Sequence, residues 1–269
     1  MSTRPSSKGP AAAAALLFLM ATSGGATLPA GADEIVLEAS QDATLYADDA
    51  DLANGAGDHL FTGRGNDFKR SLVRFDLSAL PPGSTVDAVE LTLHLSRTIV
   101  SGITQEVFRV ERGWSEGPTD APGQEGIGGT SQTGDVTWIH TSFDAELWDS
   151  PGGDVADEPS AELLVGDDIR DYTFASTPLL VADVQGWVDD PSGNFGWQIQ
   201  GFESFLLRSA KRFDSREHPD PARRPRLRVV FTAPPDPPTT EIPALGVAGV
   251  AALALLLAAG GLAALRRGR

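Results

Sequence analysis

Oxygen ligands crowd the run Asp48-Asp49-Ala50-Asp51-Leu52-Ala53-Asn54-Gly55, and Asp58 follows three residues later. Hard cations such as calcium take about six to eight oxygens from one loop or a few adjacent ones. The spacing is one residue out of step with an EF-hand loop, so that geometry is rejected. Asp49, Asp51, Asn54 and Asp58 are the residues expected to hold a structural calcium ion in another geometry. The same residues also form solvated acidic turns without any ion.

Two further residue sets could recognise a ligand. Five tryptophans, Trp114, Trp138, Trp148, Trp187 and Trp197, all lie beyond residue 113, and flat indole faces suit sugar rings. Trp187 and Trp197 keep the period of their apolar neighbours and are expected in the core. Trp114, Trp138 and Trp148 sit in loop-like sequence and are the candidates for an exposed sugar platform, with packing beneath the loop as the alternative. Arg64, Arg212 and Arg216, with other cations near them, stand out from an acidic chain. Guanidinium forks bind carboxylates through two parallel hydrogen bonds, so these three are candidates for an acidic polysaccharide, or else members of ordinary ion pairs.

Catalysis finds little support. There is no H-E-x-x-H helix, and His59, His94, His140 and His218 sit in unrelated contexts. Tyr46 and Tyr172 have no neighbourhood diagnostic of an eliminating base, and no catalytic residue is assigned. The chain has no cysteine, which excludes disulfides, thiolate metal sites and cysteine nucleophiles.

These residues need elements to position them. Val89 to Leu95 alternates apolar and polar, sending Leu91, Leu93 and Leu95 to one face and His94 to the other. The same period marks Ser71 to Leu77, Gln105 to Arg112, Phe195 to Gln200 and Arg226 to Phe231, with turn residues between them. From Pro178 to Val188 the apolar residues fall at helical offsets, and Pro191-Ser192-Gly193-Asn194 stops the run. Gly113 to Gly134 has no period, and so long a loop in a compact domain is usually functional or mobile. The fold class expected is all-β, a jelly-roll β-sandwich with one short helix, plus a C-terminal transmembrane helix.

The two ends read as sorting segments. Arg4 and Lys8 precede an apolar block and the small-residue site Ala30-Gly31-Ala32, which makes residues 1–32 a signal peptide, or alternatively an uncleaved anchor. A Pro-rich linker, 234–243, leads into the unbroken apolar segment 244–265, and a basic tail, 266–269, closes the chain. At about 1.5 Å per residue the apolar segment reaches roughly the 30 Å of a bilayer core. The arginines place the tail inside and the domain, 33–233, outside the cytoplasmic membrane. Within 33–233 the 21 Lys and Arg of the chain fall to 16 and the 37 Asp and Glu to 35, a net charge of −19. That field repels phosphate backbones, so nucleic acid is not an expected partner.

The order ASQDATLY, NGAGDHLFTGR, RSLVRFDLSALPPGSTVDAVELTLHLS, then W-S-E-G at Trp114 to Gly117, VADVQGWVDDPSGNFGW and KRFDSRE before P-R-L-R-V-V-F, resembles the DNRLRE-type domain of exported bacterial proteins. The resemblance covers nearly all of 33–233. It implies a jelly roll similar to carbohydrate-binding modules, some of which take uronic-acid polymers. The tail resembles PEP-CTERM and IPTL-CTERM sorting signals, with Ile242-Pro243-Ala244-Leu245 as the motif, and implies a sorting protease as a partner. It lacks the Thr after the proline found in commoner forms. The expected function is a non-catalytic, membrane-tethered module that binds or organises extracellular polysaccharide. The alternatives are a structural surface or biofilm matrix protein without a defined glycan, and a polysaccharide lyase or glycoside hydrolase.

Overall fold

The computed structural model describes residues 31–235. The expected signal peptide, apart from its last two residues, and the transmembrane segment 244–265 with its basic tail lie outside the described residues. Among the described residues no helix is long and apolar enough to cross a membrane.

The described residues are mostly β with one α-helix. In order they form β1 (Asp33–Tyr46), β2 (Leu52–Ala53), β3 (His59–Arg64), β4 (Phe68–Phe75), β5 (Thr85–Thr98), β6 (Ile103–Arg109), β7 (Gly129–Thr130), β8 (His140–Ser142), β9 (Glu146–Leu147), β10 (Ala161–Val165), β11 (Asp171–Phe174), α1 (Pro178–Asp189), β12 (Trp197–Gln200), β13 (Lys211–Asp214) and β14 (Arg226–Thr232). Six strands close a ring in the order β1, β14, β5, β13, β3, β4 and back to β1. Two strands of 14 residues make the closure work. The first half of β1 pairs β14, a bulge follows between Ala39 and Gln41, and the second half pairs β4. Likewise β5 pairs β14 up to Thr92 and β13 from Leu95 onward. Bulges bend a strand and raise its twist, which lets one strand serve two directions of a ring. Beyond the ring, β12, β6 and β10 extend from β4, and β11 pairs β5.

Alternation decides which face fills the ring. Leu91, Leu93 and Leu95 of β5, Val73 and Phe75 of β4, and Leu227, Val229 and Phe231 of β14 belong to one buried cluster. The helix joins it. Thr177 caps α1 by accepting a hydrogen bond from the Leu180 amide at 3.0 Å, and Pro178 occupies the first turn, where a missing N–H costs nothing. Leu180, Val184 and Trp187 then face the core, and Trp187 meets Trp197 edge to face at 4.6 Å. Both tryptophans are buried, as their spacing predicts.

A second buried cluster lies on the other side of β1 and β4. It gathers Ala43, Leu45, Leu72, Val110, Trp114, Val136 and Trp148. Leu72 and Val73 are neighbours pointing to opposite faces of β4, and both are fully buried. The irregular chain between β6 and β10 therefore lies over this sheet as a packed layer, and the two clusters share β4.

Candidate functional site

Strand β13 has four residues and two environments. Its register sets Arg212 between Phe61 of β3 and Arg97 of β5, and Asp214 opposite His59 of β3. The tip of the loop Gly113 to Gly134 reaches both positions. Gln124 accepts a hydrogen bond from Arg212 Nη1 at 3.0 Å, and Glu125 accepts from His59 Nδ1 at 3.0 Å. Glu125 adopts a left-handed backbone, φ 61°, which is sparsely populated by residues other than glycine and marks a conformation fixed by its surroundings. Its carbonyl accepts from the Tyr46 hydroxyl at 2.8 Å and from the Gly128 amide at 3.0 Å.

On the Arg212 side the surface is basic and lacks carboxylate partners. Arg212 donates to Ser96 Oγ at 3.1 Å and to Gln124, both neutral. Arg97 is exposed and has no hydrogen-bond or ion-pair partner among the described residues. Burial, with Arg97 also opposing it, lowers the Arg212 pKa against the pull of Asp214 and Glu125. The groove here encloses about 160 Å³ and is bordered by Phe61, Arg97, Ile99, Gln124 and Arg212. Gly65 also borders this groove, and near it Arg64 Nη1 donates to the Phe205 carbonyl at 3.0 Å and Arg208 Nε donates to that of Gly65 at 3.0 Å. The Arg64 guanidinium lies 5.7 Å from the centre of the Phe205 ring, and that ring is 75% exposed. Lys211, the inward neighbour of Arg212, is spent internally: its Nζ donates to the carbonyls of Val100 and Gly166, each at 2.6 Å.

Past Asp214 the balance reverses. Arg216 lies in a fork of carboxylates, donating to Glu116 through Nε at 2.6 Å and Nη2 at 2.7 Å, with Glu217 Oε1 2.8 Å from Nη2. Asp42 completes the group, accepting from the Arg216 amide at 2.8 Å while its own amide donates to Glu116 at 2.7 Å. Asp42, Glu116 and Glu217 each offer an oxygen within 4.8 Å of the others. Burial first, and then the Glu217 charge, holds the Asp42 carboxyl well above the ordinary range although the Arg216 amide pulls it down. The Arg216 guanidinium already supplies this triad with a cation, and its fork is closed to an outside carboxylate.

The other expected site residues are placed as follows. Trp114 and Trp148 are 8% and 5% exposed, packed in the second cluster, with their indole N–H groups donated to the carbonyls of Phe195 and Thr137. Trp138 is half-buried, and the Arg70 guanidinium covers its ring at 4.8 Å. No open indole platform forms, because the layer between β6 and β10 uses these rings as its own core. The calcium set does not converge either. Asn54 is buried, donates to the His59 carbonyl and to Glu125, and accepts from the Ala121 amide, so its amide is engaged within the fold. Asp49, Asp51 and Asp58 are exposed, and their carboxylates form no close group among the described residues. Of the three arginines singled out by charge contrast, Arg212 lies beside Arg97, Arg64 beside Phe205, and Arg216 among carboxylates.

Sequence reasoning missed Arg97, Phe205, Asp42, Glu116, Glu125 and Asp214. Only KRFDSREH carried a signal, since a strand with so many charges on both faces must find partners for the ones it buries. In comparison with known proteins, no family model matches the chain and none of the curated proteins is significantly similar to it.

Proposed function

We propose that this protein is an exported, membrane-tethered module that binds an acidic extracellular polysaccharide on the face formed by Arg64, Arg97 and Arg212, without turning it over. One observation carries the reading: two guanidiniums side by side on adjacent strands, with neutral partners or none, in a domain of net charge −19. Placing like charges together costs free energy unless an anion joins them, and arginine forks fit the carboxylates of uronic acids. Phe205 beside Arg64 offers a ring face next to those cations. The groove is bordered by no carboxylate, imidazole or phenol, the groups that general acid–base chemistry on a sugar uses. The ring of strands is read here as a jelly-roll sandwich, in keeping with the resemblance to the DNRLRE-type domain. Export and tethering rest on the two apolar ends and the terminal arginines.

The test is a titration of the purified full-length protein with a polyuronate and with a neutral glucan. Saturable polyuronate binding that weakens with added salt is the expected result. Equal affinity for the neutral polymer would overturn the charge-based face. Release of unsaturated or reducing ends would make the protein a lyase or hydrolase. Silence on both polymers would favour the structural matrix role.

A further inference from the structure

One loop carries an apolar tip that its own fold leaves uncovered. Of the eleven large apolar side chains exposed among the described residues, seven are scattered along the chain, as is normal for a soluble surface. The other four, Phe202, Phe205, Leu206 and Leu207, fall within six consecutive residues, and Leu206 is 98% exposed.

The fold holds this loop out instead of letting it fray. Ser209 is fully buried at the root, where its hydroxyl accepts from the Arg64 amide at 2.9 Å and donates to the Phe202 carbonyl at 2.5 Å. At the other end Gly201 packs so closely that a Cβ there would stand 2.9 Å from the Gly63 Cα. Between them Ser204 and Leu207 form an antiparallel bridge, and Ser204 Oγ accepts from the Leu206 amide at 3.2 Å. The segment is a tight hairpin with Phe205 and Leu206 at its turn.

The base of the hairpin is cationic. Arg64 and Arg208 donate to neutral oxygens of Phe205, Gly65 and Asn66, and neither has an ion-pair partner among the described residues. The acids nearby are engaged: Glu203 accepts two bonds from Arg70, at 2.8 and 2.9 Å, and Asp67 accepts from the Phe68 amide at 2.9 Å. Because the Arg64 guanidinium lies 5.7 Å from the centre of the Phe205 ring, apolar tip and cations are arranged in depth. A bilayer is layered in the same order, since side chains that sink about 5–10 Å reach the acyl boundary while cations above them meet the phosphates. A protein partner fits less well. Stable protein interfaces bury about 800 Å² on each side, more than a finger of four side chains offers, and a bilayer asks for no matching shape.

We infer that the hairpin Phe202 to Leu207 docks on an anionic phospholipid bilayer, with Phe205, Leu206 and Leu207 entering the boundary of headgroups and acyl chains and with Arg64 and Arg208 at the phosphates. This goes beyond the polyuronate reading. It shares Arg64 and Phe205 with that face but uses neither Arg97 nor Arg212.

The test uses full-length protein reconstituted in vesicles of phosphatidylglycerol and phosphatidylcholine. The chain has no cysteine, so an environment-sensitive fluorophore can be attached at Leu207→Cys alone, with Ala182→Cys, exposed on α1, as the control. Spin-labelled lipid should quench the dye at Leu207→Cys, whose emission should shift to the blue, and should leave the dye at Ala182→Cys unchanged. Adding Leu206→Asp should abolish both signals. Arg208→Gln, added salt, or vesicles of phosphatidylcholine alone should weaken them. Polyuronate binding by the Leu206→Asp protein should equal that of the wild type, so this inference and the polyuronate reading fail separately. No quenching at Leu207→Cys, equal quenching at Ala182→Cys, or quenching that survives Leu206→Asp would overturn the inference. Equal quenching in phosphatidylcholine alone would overturn it as well. A blue shift without quenching that grows with protein density would place a second copy of the chain on the tip, and would also overturn it.

Discussion

Arg212 and Arg216 stand four residues apart and live in opposite electrostatic settings. Arg216 has two carboxylates around its guanidinium and a third on its amide, while Arg212 has a hydroxyl, an amide oxygen and a second arginine alongside. The residue type is the same. What separates a structural cation from one available to a ligand is whether a distant segment delivers an acid to it, and Glu116 is delivered to Arg216 from 100 residues away. Arg97 and Arg212 receive none, in a chain with acids to spare. An ion pair is made by topology rather than by composition.

The comparison can be broken first at its foundation. Trp114 anchors the segment that carries Glu116, and Trp114→Ala should cost about 3–5 kcal/mol of stability through a cavity in the second cluster. A denaturant melt checks this, and a change under about 0.5 kcal/mol would mean that the layer over β4 is loosely held. Next in size, Glu116→Ala removes two charge-assisted bonds from Arg216 and one from the Asp42 amide, for an expected loss of about 2–3 kcal/mol.

A pH series sharpens the same contrast. Because the folded Asp42 carboxyl holds its proton more tightly than the unfolded one, its contribution is fully present at low pH. It is lost as pH rises from about 4 through the raised folded value. Asp42→Asn removes that titration. Unfolding free energy of the wild type minus that of the variant should therefore fall with rising pH across this window, and a flat difference would mean that Arg216 fully offsets the burial. The smallest stability effect belongs to the open face. Arg212→Ala should shift unfolding by no more than about 0.5 kcal/mol, yet weaken polyuronate binding about tenfold or more. Equal losses at Arg212 and Arg216 would erase the distinction between them.

Much of this was legible in local pattern. Alternation located β4, β5, β6, β12 and β14, and the helical offsets of Leu180, Val184 and Trp187 located α1 within a residue. The second core was not, because the loop that covers it has no period of its own. A trace existed in Ser71-Leu72-Val73-Arg74, where two adjacent apolar residues interrupt strict alternation as strands buried on both faces do. Reading that pair as two-sided burial would have moved Trp114 and Trp148 inward. The candidate sites were harder. His59 with Asp214, and Arg97 with Arg212, are cross-strand neighbours with more than a hundred residues between them, and no spacing rule spans such a gap.

The closed ring also has a mechanical consequence. Asp33 pairs with Phe231 and Thr85 with Thr232, so both ends of the described chain leave beside the start of β5. Arg97 sits near the finish of that strand; eleven rises of about 3.3 Å from Val86 place it up to roughly 36 Å away. Under the proposed tether at 234–243, tension between a membrane and a captured polymer would run lengthwise along β5. Its hydrogen bonds to β14 and β13 lie across the strand and would be loaded together, in shear, instead of being opened one at a time. A domain pulled this way resists as a block, which is the behaviour wanted of an anchor point rather than of a sensor.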